Sequence, residues 1–137
     1  MHCRIGIVSN RNSPADYNDD MKRAKAIGID AFALNIGVDP YTEAQLELAY
    51  QSAADNDMKV FISFDFNWFK DTSDAARIGE MVKRYAAKPA QLMINGAAFV
   101  SSFAGDKLDV STVRSTAGID LFMVCHPAVS GRNVADV

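Results

Sequence analysis

The sequence is poor in the features that mark several protein classes. Two cysteines among 137 residues are too few for a disulfide framework. The net charge is −3 and no stretch of lysine and arginine forms a basic stripe, so neither nucleic acid nor an anionic membrane surface is expected as a partner. No apolar run approaches the roughly 18 residues of a membrane span. The start of the chain also lacks the pattern of a signal peptide.

Motifs for cofactors and metals are missing as well. There is no G-x-G-x-x-G, no phosphate-binding loop and no G-x-S-x-G, so the sequence predicts neither a nucleotide cofactor nor a serine hydrolase. A metal set of His2, Cys3, Cys125 and His126 would need the two strand regions to meet, and the spacing matches no recognised zinc site. We therefore expect no metal. Both cysteines fall in apolar strands, where free thiols are commoner than a disulfide between them.

Apolar residues, in contrast, make up 49% of the chain and follow a regular alternation. Segments of helical period separate short, nearly continuous apolar runs at residues 5–8, 31–36, 60–66, 99–103 and 121–125. This alternation is typical of a parallel sheet covered by helices, so the predicted fold class is α/β with repeated βα units. A complete eight-fold barrel takes about 250 residues, and we therefore predict a partial (half) TIM-type β/α barrel over residues 1–126, followed by a tail over 127–137.

Local signals predict where the elements begin and end. Ser13 is the expected N-cap of the first helix, and Gly28 is the expected left-handed stop after it. Thr42 with Gln45 three residues later matches a capping box at the start of the second helix. The Asn-Gly pair at 95–96 favours a type I′ turn, which predicts a β-hairpin inserted before the fourth main strand.

Polar side chains follow two neighbouring strands at the point where each strand ends. Small residues alternate with bulky ones, and the small face ends in Asn35 on one strand and in Asp65 on the next. Ligands of parallel β/α folds bind at this end, so both are candidate binding residues; the alternative is that they cap loop amides. Trp68, in the following loop, could stack on a sugar ring or simply cover the sheet. His126 could be a base, although a single histidine without a partner is more often structural.

Four blocks of the sequence resemble a known enzyme family. They are AKAIGIDAFALNIG at 24–37, KVFISFDF at 59–66, RYAAKPAQ at 84–91 and FVSSFAGD at 99–106. In this order and spacing they resemble the first half of glycoside hydrolase family 71, the fungal α-1,3-glucanases also called mutanases. The resemblance covers about residues 5–123, and the residues after Phe122 are expected to depart from the family.

The resemblance implies a β/α barrel that hydrolyses α-1,3-glucan with two carboxyl groups and water, without a cofactor. In the family the acid pair belongs to later strands, so no catalytic residue is assigned in this chain. Asn35, Asp65 and Trp68 would correspond to the sugar-binding wall. Family members are normally secreted, although no signal peptide is expected here.

Two main hypotheses for function stay open at this point, and a third, a small α/β enzyme in which Asp65 is a lone acid or base, ranks below them. The chain is an N-terminal fragment of a glucan hydrolase that lacks the catalytic carboxylate pair, or it is a non-catalytic glucan-binding or secreted effector-type protein that acts through its surface. In both cases α-1,3-glucan is the expected partner. Five strands of a barrel also leave two open sheet edges, through which copies of the chain could form a homo-oligomer.

Overall fold

The computed structural model describes residues 3–7, 10–70 and 72–127, with the backbone alone for 3–7. Strands and helices alternate along the chain as predicted. In order, they are β1 (Cys3–Ile7), α1 (Ala15–Ala26), β2 (Ala31–Ile36), α2 (Thr42–Asp55), β3 (Lys59–Asp65), α3 (Ala75–Ala86), β4 (Met93–Ile94), β5 (Ala97–Phe103), α4 (Val110–Ala117) and β6 (Leu121–His126). Val8, which ends the first predicted strand, and residues 128–137 of the predicted tail lie outside the described residues.

All of the described strands belong to one sheet. β1, β2, β3, β5 and β6 lie side by side in that order and are parallel, while the short β4 runs antiparallel to β5. The chain passes through a helix between successive parallel strands, so all of these strands end on the same side of the sheet. β1 and β6 are not paired with each other, and within the described residues the sheet is an open, partial β/α barrel. The predicted fold class is confirmed.

The predicted hairpin is present and precedes the main part of β5. The Asn-Gly pair at 95–96 has φ values of 50° and 81°, the positive values that a type I′ turn needs. Just before this hairpin, Leu92 N donates to Val60 O and Phe99 N donates to Leu92 O, both at 2.9 Å. The insertion therefore lies between β3 and the first half of β5. The direct pairing of β5 with β3 begins only at Ser101.

The two faces of the sheet are packed differently. The outer face is covered by the helices and carries the main core, which includes Phe32, Leu34, Ile62, Phe64, Leu46, Ile78 and Val113. The inner face carries a smaller apolar cluster of Ala31, Ala33, Phe61 and Leu92. The predicted alternation is confirmed for Phe32 and Leu34 of β2 and for Ile62 and Phe64 of β3, which face the helices, whereas Phe61 of β3 faces inward. The inner face is left free for a site at the strand ends.

The prediction that Ser13 is the N-cap of α1 is wrong. Pro14 rather than Ser13 occupies the N-cap position, and no side-chain hydrogen bond caps the helix there. Instead, the Asp16 carboxylate in the first turn accepts from the backbone N–H groups of Asn12 and Ser13, both at 2.9 Å. These two hydrogen bonds hold the pKa of Asp16 below its usual value, because they favour the charged form. The predicted left-handed stop at Gly28 is confirmed by a φ of 81°.

The predicted capping box of α2 is also wrong. Thr42 is the first residue of the helix rather than its cap. Gln45 Oε1 accepts from the Tyr17 hydroxyl at 2.6 Å, and Gln45 Nε2 donates to Arg11 O at 2.8 Å. The glutamine side chain joins α2 to α1, and this contact across the fold replaces the local hydrogen bond that the sequence pattern predicts.

β6 leaves one edge of the described sheet uncovered. Phe122 on this strand is 46% exposed and stacks on Phe99, with ring centroids 5.5 Å apart. Cys125 presents a free, exposed thiol on the same strand. An uncovered strand offers a row of backbone N–H and C=O groups with which another strand can pair.

Candidate functional site

A cavity of about 710 Å³ opens on the inner face of the sheet, where the parallel strands end. Four neighbouring strands line it. The lining residues are Ala33 and Asn35 from β2, Phe61, Ser63 and Asp65 from β3, Phe99, Ser101 and Phe103 from β5, and His126 and Pro127 at the end of β6. The Phe61 and Phe99 rings meet edge to face at 4.6 Å. Both the position and the volume are those of a ligand-binding site in a β/α fold.

Asn35 and Asp65 stand together in this cavity, as the alternation of their strands predicts. Asn35 Nδ2 donates to Asp65 Oδ2 at 3.4 Å. The other carboxylate oxygen, Asp65 Oδ1, accepts from both the backbone N–H and the side-chain amide of Asn67, each at 2.9 Å. One oxygen of Asp65 thus caps the amides of the following loop, which is the alternative to ligand binding that the sequence left open. The second oxygen faces the cavity beside the Asn35 amide.

Trp68 lies apart from this pair, on the rim of the site. It is 62% exposed and does not belong to the residues that line the cavity. Its backbone N–H donates to Asp65 O at 3.0 Å, in the turn that follows β3. The structure therefore brings two of the three predicted residues together in the cavity and places the third beside its mouth. Their role in substrate binding stays a prediction.

Ser101 and Phe103 of β5 form a part of the cavity wall that was not predicted from the sequence. Ser101 pairs with Ser63, and Phe103 pairs with Asp65 in the register of β3 and β5. Ser101 and Phe103 are two residues apart and so share the inner face. The small-inward, bulky-outward alternation that identified Asn35 and Asp65 does not hold on β5, because Phe99 and Phe103 face the cavity and the small Ser102 is buried on the opposite face.

The charged and titratable groups of the cavity are few. Among the described lining residues, Asp65 is the only carboxylate and His126 the only imidazole. Phe103 pairs with Asp65 on one side and with His126 on the other, so the two polar residues are two strand spacings apart, roughly 10 Å. The Asp65 carboxylate makes its described hydrogen bonds to Asn35 and Asn67. The cavity can bind hydroxyl groups, but its described wall holds no pair of carboxylates.

No three histidine, cysteine, aspartate or glutamate side chains within ranges 10–70 and 72–127 are grouped so that they could hold a metal ion. None of the described helices has the length and apolar character needed to cross a membrane.

Comparison with known proteins gives a consistent picture. The model of glycosyl hydrolase family 71 matches residues 1–136. A mutanase of Penicillium rubens is 42% identical over 124 residues, which cover 90% of this chain and 27% of that protein. A glucan endo-1,3-alpha-glucosidase of Schizosaccharomyces pombe is 44% identical over 94 residues, 67% of this chain and 22% of that protein. An ascus wall endo-1,3-alpha-glucanase of the same organism is 25% identical over 109 residues, 79% of this chain and 25% of that protein.

The chain spans about a quarter of the length of these relatives. The family match continues to residue 136, so the expectation that the sequence departs from the family after Phe122 is wrong. The structure gives the physical reason, because β6 continues through His126 as the fifth parallel strand, in register with β5. Family match and fold agree, and the chain belongs to glycosyl hydrolase family 71.

Proposed function

We propose that this chain forms the first β/α units of an α-1,3-glucan hydrolase and that its inner cavity holds part of the glucan chain. One observation carries the proposal: the Asn35–Asp65 pair stands in the cavity at the strand ends of a chain from glycosyl hydrolase family 71. The names of the relatives, a mutanase and two enzymes that act on α-1,3-linked glucan, support this substrate.

The chemistry of the cavity wall suits a sugar polymer. Glucose units present hydroxyl groups, which donate and accept hydrogen bonds, and apolar C–H faces. Asp65 Oδ2 can accept from a hydroxyl, and the serine hydroxyls on β3 and β5 can both donate and accept. Phe103, which is 41% exposed, offers an aromatic surface to a C–H face. Asn35 and Asp65 are therefore the proposed substrate-binding residues within the cavity, with Trp68 at its rim.

We expect Asp65→Asn to weaken binding to α-1,3-glucan at least about tenfold, because a hydrogen bond to a charged acceptor is worth about 1.5–3 kcal/mol. Asparagine keeps an oxygen that can accept from Asn67, so the loop after β3 keeps its cap. Co-sedimentation of the purified protein with insoluble α-1,3-glucan, over a range of glucan concentrations, measures the change.

The matched control is Asp19→Asn, the same change of charge at an exposed position of α1 on the outer layer. It should bind glucan as the unmodified protein does. Equal binding by Asp65→Asn and Asp19→Asn would contradict the placement of the glucan in this cavity. Failure of the unmodified protein to bind any α-1,3-glucan would contradict the proposed function as a whole.

We also propose that copies of the chain associate through the open edge at β6. Lysine on an edge strand opposes strand-to-strand pairing, so Phe122→Lys should weaken self-association about tenfold or more. Sedimentation velocity over a series of protein concentrations, in the presence of a reductant that keeps Cys125 free, measures this.

Ile119→Lys is the matched control for the edge. Ile119 is 39% exposed and precedes β6. Lysine at this position adds the same charge near the edge but outside the backbone hydrogen bonds of the strand. If both variants and the unmodified protein are monomers at every concentration, the edge is not used for association.

A further inference from the structure

Trp68 is held in an exposed position by a well-anchored loop. The next residue, Phe69, is buried in the main core, where its ring meets Phe64 edge to face at 5.3 Å. The backbone N–H groups of Trp68 and Phe69 both donate to Asp65 O, at 3.0 and 3.1 Å. The loop is thus fixed on both sides of the indole. The exposure of Trp68 does not come from a loosely tethered segment, and it is unusual for a side chain that is mostly buried on average.

Gly37 provides the space in which the indole lies. A Cβ at this position would stand 3.2 Å from Trp68 Cδ1 and 3.3 Å from Trp68 Cγ. Gly37 does not have a positive φ, so the backbone conformation itself does not require glycine. The missing side chain lets the indole ring rest directly against the end of β2, two residues beyond Asn35.

A carboxylate and a second aromatic ring share this part of the rim. The same Cβ position at Gly37 is 3.4 Å from Asp39 Oδ2. The Tyr41 side chain is 46% exposed, and partial desolvation together with the neighbouring Asp39 carboxylate raises the pKa of its hydroxyl. Thr42 N donates to Asp39 O at 3.1 Å, which closes a turn with Pro40 at its second position. Asp39 and Tyr41 are therefore presented by a short, rigid turn.

We infer that Trp68, Asp39 and Tyr41 form a second sugar subsite on the rim, which takes the units of an α-1,3-glucan chain that extend out of the cavity. The inference rests on the proposed function. An exposed indole offers a flat face to the C–H side of a pyranose, and a neighbouring carboxylate can accept hydrogen bonds from its hydroxyl groups. Two short segments of the chain connect this subsite to the cavity. One runs from Asn35 to Gly37, and the other runs from Asp65 to Trp68.

The test is the dependence of binding on the length of the sugar chain. α-1,3-Linked gluco-oligosaccharides, from the disaccharide to the octasaccharide, are titrated into the protein by calorimetry. Affinity should rise with length until the chain reaches the rim. Trp68→Ala should lower the affinity for the longest oligosaccharides about 5- to 10-fold, because the variant removes the aromatic face against which the outer sugar units pack. The same variant should change the affinity for the shortest ones less than about twofold.

Tryptophan fluorescence gives an independent reading, because Trp68 is the single tryptophan of the sequence. Long oligosaccharides should protect it from acrylamide quenching, and short ones should not. Gly37→Ala moves the indole by a few tenths of an ångström and should reduce this protection for the long chains. Ile27→Ala, at an exposed apolar residue that follows α1, is the control and should change neither reading.

The cavity proposal and the rim-subsite proposal are contradicted by different experimental outcomes. If the short oligosaccharides bind and the longer ones bind no better, there is no rim subsite, while the cavity proposal stands. An equal loss at all lengths in Trp68→Ala would also overturn the separate subsite, because it would place Trp68 in the cavity itself. If oligosaccharides of every length fail to bind the unmodified protein, both proposals fall.

Discussion

Purified protein of residues 1–137 should release reducing ends from α-1,3-glucan at least about 10⁴-fold more slowly than a full-length relative such as the glucan endo-1,3-alpha-glucosidase of Schizosaccharomyces pombe. Glycoside hydrolysis uses one carboxylic acid to protonate the leaving oxygen. A second carboxylate activates water or attacks the sugar. In the described part of the cavity, Asp65 is the only carboxylate. With its Oδ1 committed to Asn67, it has one oxygen left for the sugar.

His126 does not supply the missing partner. The two carboxyl groups of a glycosidase stand about 5 Å apart in retaining enzymes and about 6.5–9.5 Å apart in inverting ones. Both of these positions are occupied by carboxyl groups, whereas His126 offers an imidazole. An imidazole also has no carboxylate oxygen with which to form the glycosyl ester of a retaining enzyme. The loss of one positioned acid or base costs about 10²–10⁴ in rate, and the absence of the pair costs more.

The assay compares reducing ends released by equal molar amounts of this protein and of the full-length relative. Asp65→Asn is the control for trace contamination, because a contaminating glucanase would be unaffected by a change in this chain. Hydrolysis within about 100-fold of the relative that is also lost in Asp65→Asn would contradict the expectation. It would show that this chain itself carries the hydrolytic activity.

The sequence predicted the sheet well because alternation and burial are local properties of a strand. The second predicted strand, 31–36, coincides with β2, and the third is displaced by one residue from β3. In β2 one face packs against the helices and the other lines the cavity. Bulky and small residues therefore alternate along this strand, and the sequence shows this alternation. Asn35 and Asp65 could be identified for this reason.

The features that could not be predicted from the sequence depend on contacts between distant segments of the chain. Gln45 fits a capping box by spacing, but Tyr17 and Arg11 offer it better partners once α1 packs beside α2. Trp68 follows β3 closely enough to be named as a site residue. Its position outside the cavity, however, depends on the missing side chain at Gly37, which follows a different strand, β2. Periodicity contains no information about such pairs.

Gln91 is another residue whose role arises from distant contacts. Its side chain is 4% exposed and fills the space where the hairpin insertion meets β3 and α2. Gln91 Oε1 accepts from the Tyr50 hydroxyl at 2.7 Å. Gln91 Nε2 donates to the backbone oxygens of Leu92 and Phe99, each at 2.9 Å. A buried amide whose oxygen and nitrogen are both used in this way fixes the insertion, and with it the first half of β5, against the sheet.

We expect Gln91→Met to lower the free energy of unfolding by about 3 kcal/mol, measured as a shift in the urea unfolding midpoint. Methionine fills a similar volume, so the cavity left in the core is small. The Tyr50 hydroxyl loses its acceptor inside the protein, where burial already raises its pKa and keeps it a neutral donor. The Phe99 and Leu92 oxygens each lose one donor, although Leu92 O keeps the N–H of Phe99. A buried polar group without its partner costs about 1–3 kcal/mol.

A double-mutant cycle separates the lost hydrogen bond from the change in packing. Tyr50→Phe alone removes the donor and leaves Gln91 Oε1 unsatisfied, so it should also destabilise the protein. In the double variant Tyr50→Phe, Gln91→Met neither side of that bond is left unpaired, and the loss should be about 1–2 kcal/mol smaller than the sum of the single losses. Strict additivity would mean that the two residues act independently and that Gln91 stabilises the hairpin insertion through its contacts with the backbone oxygens alone.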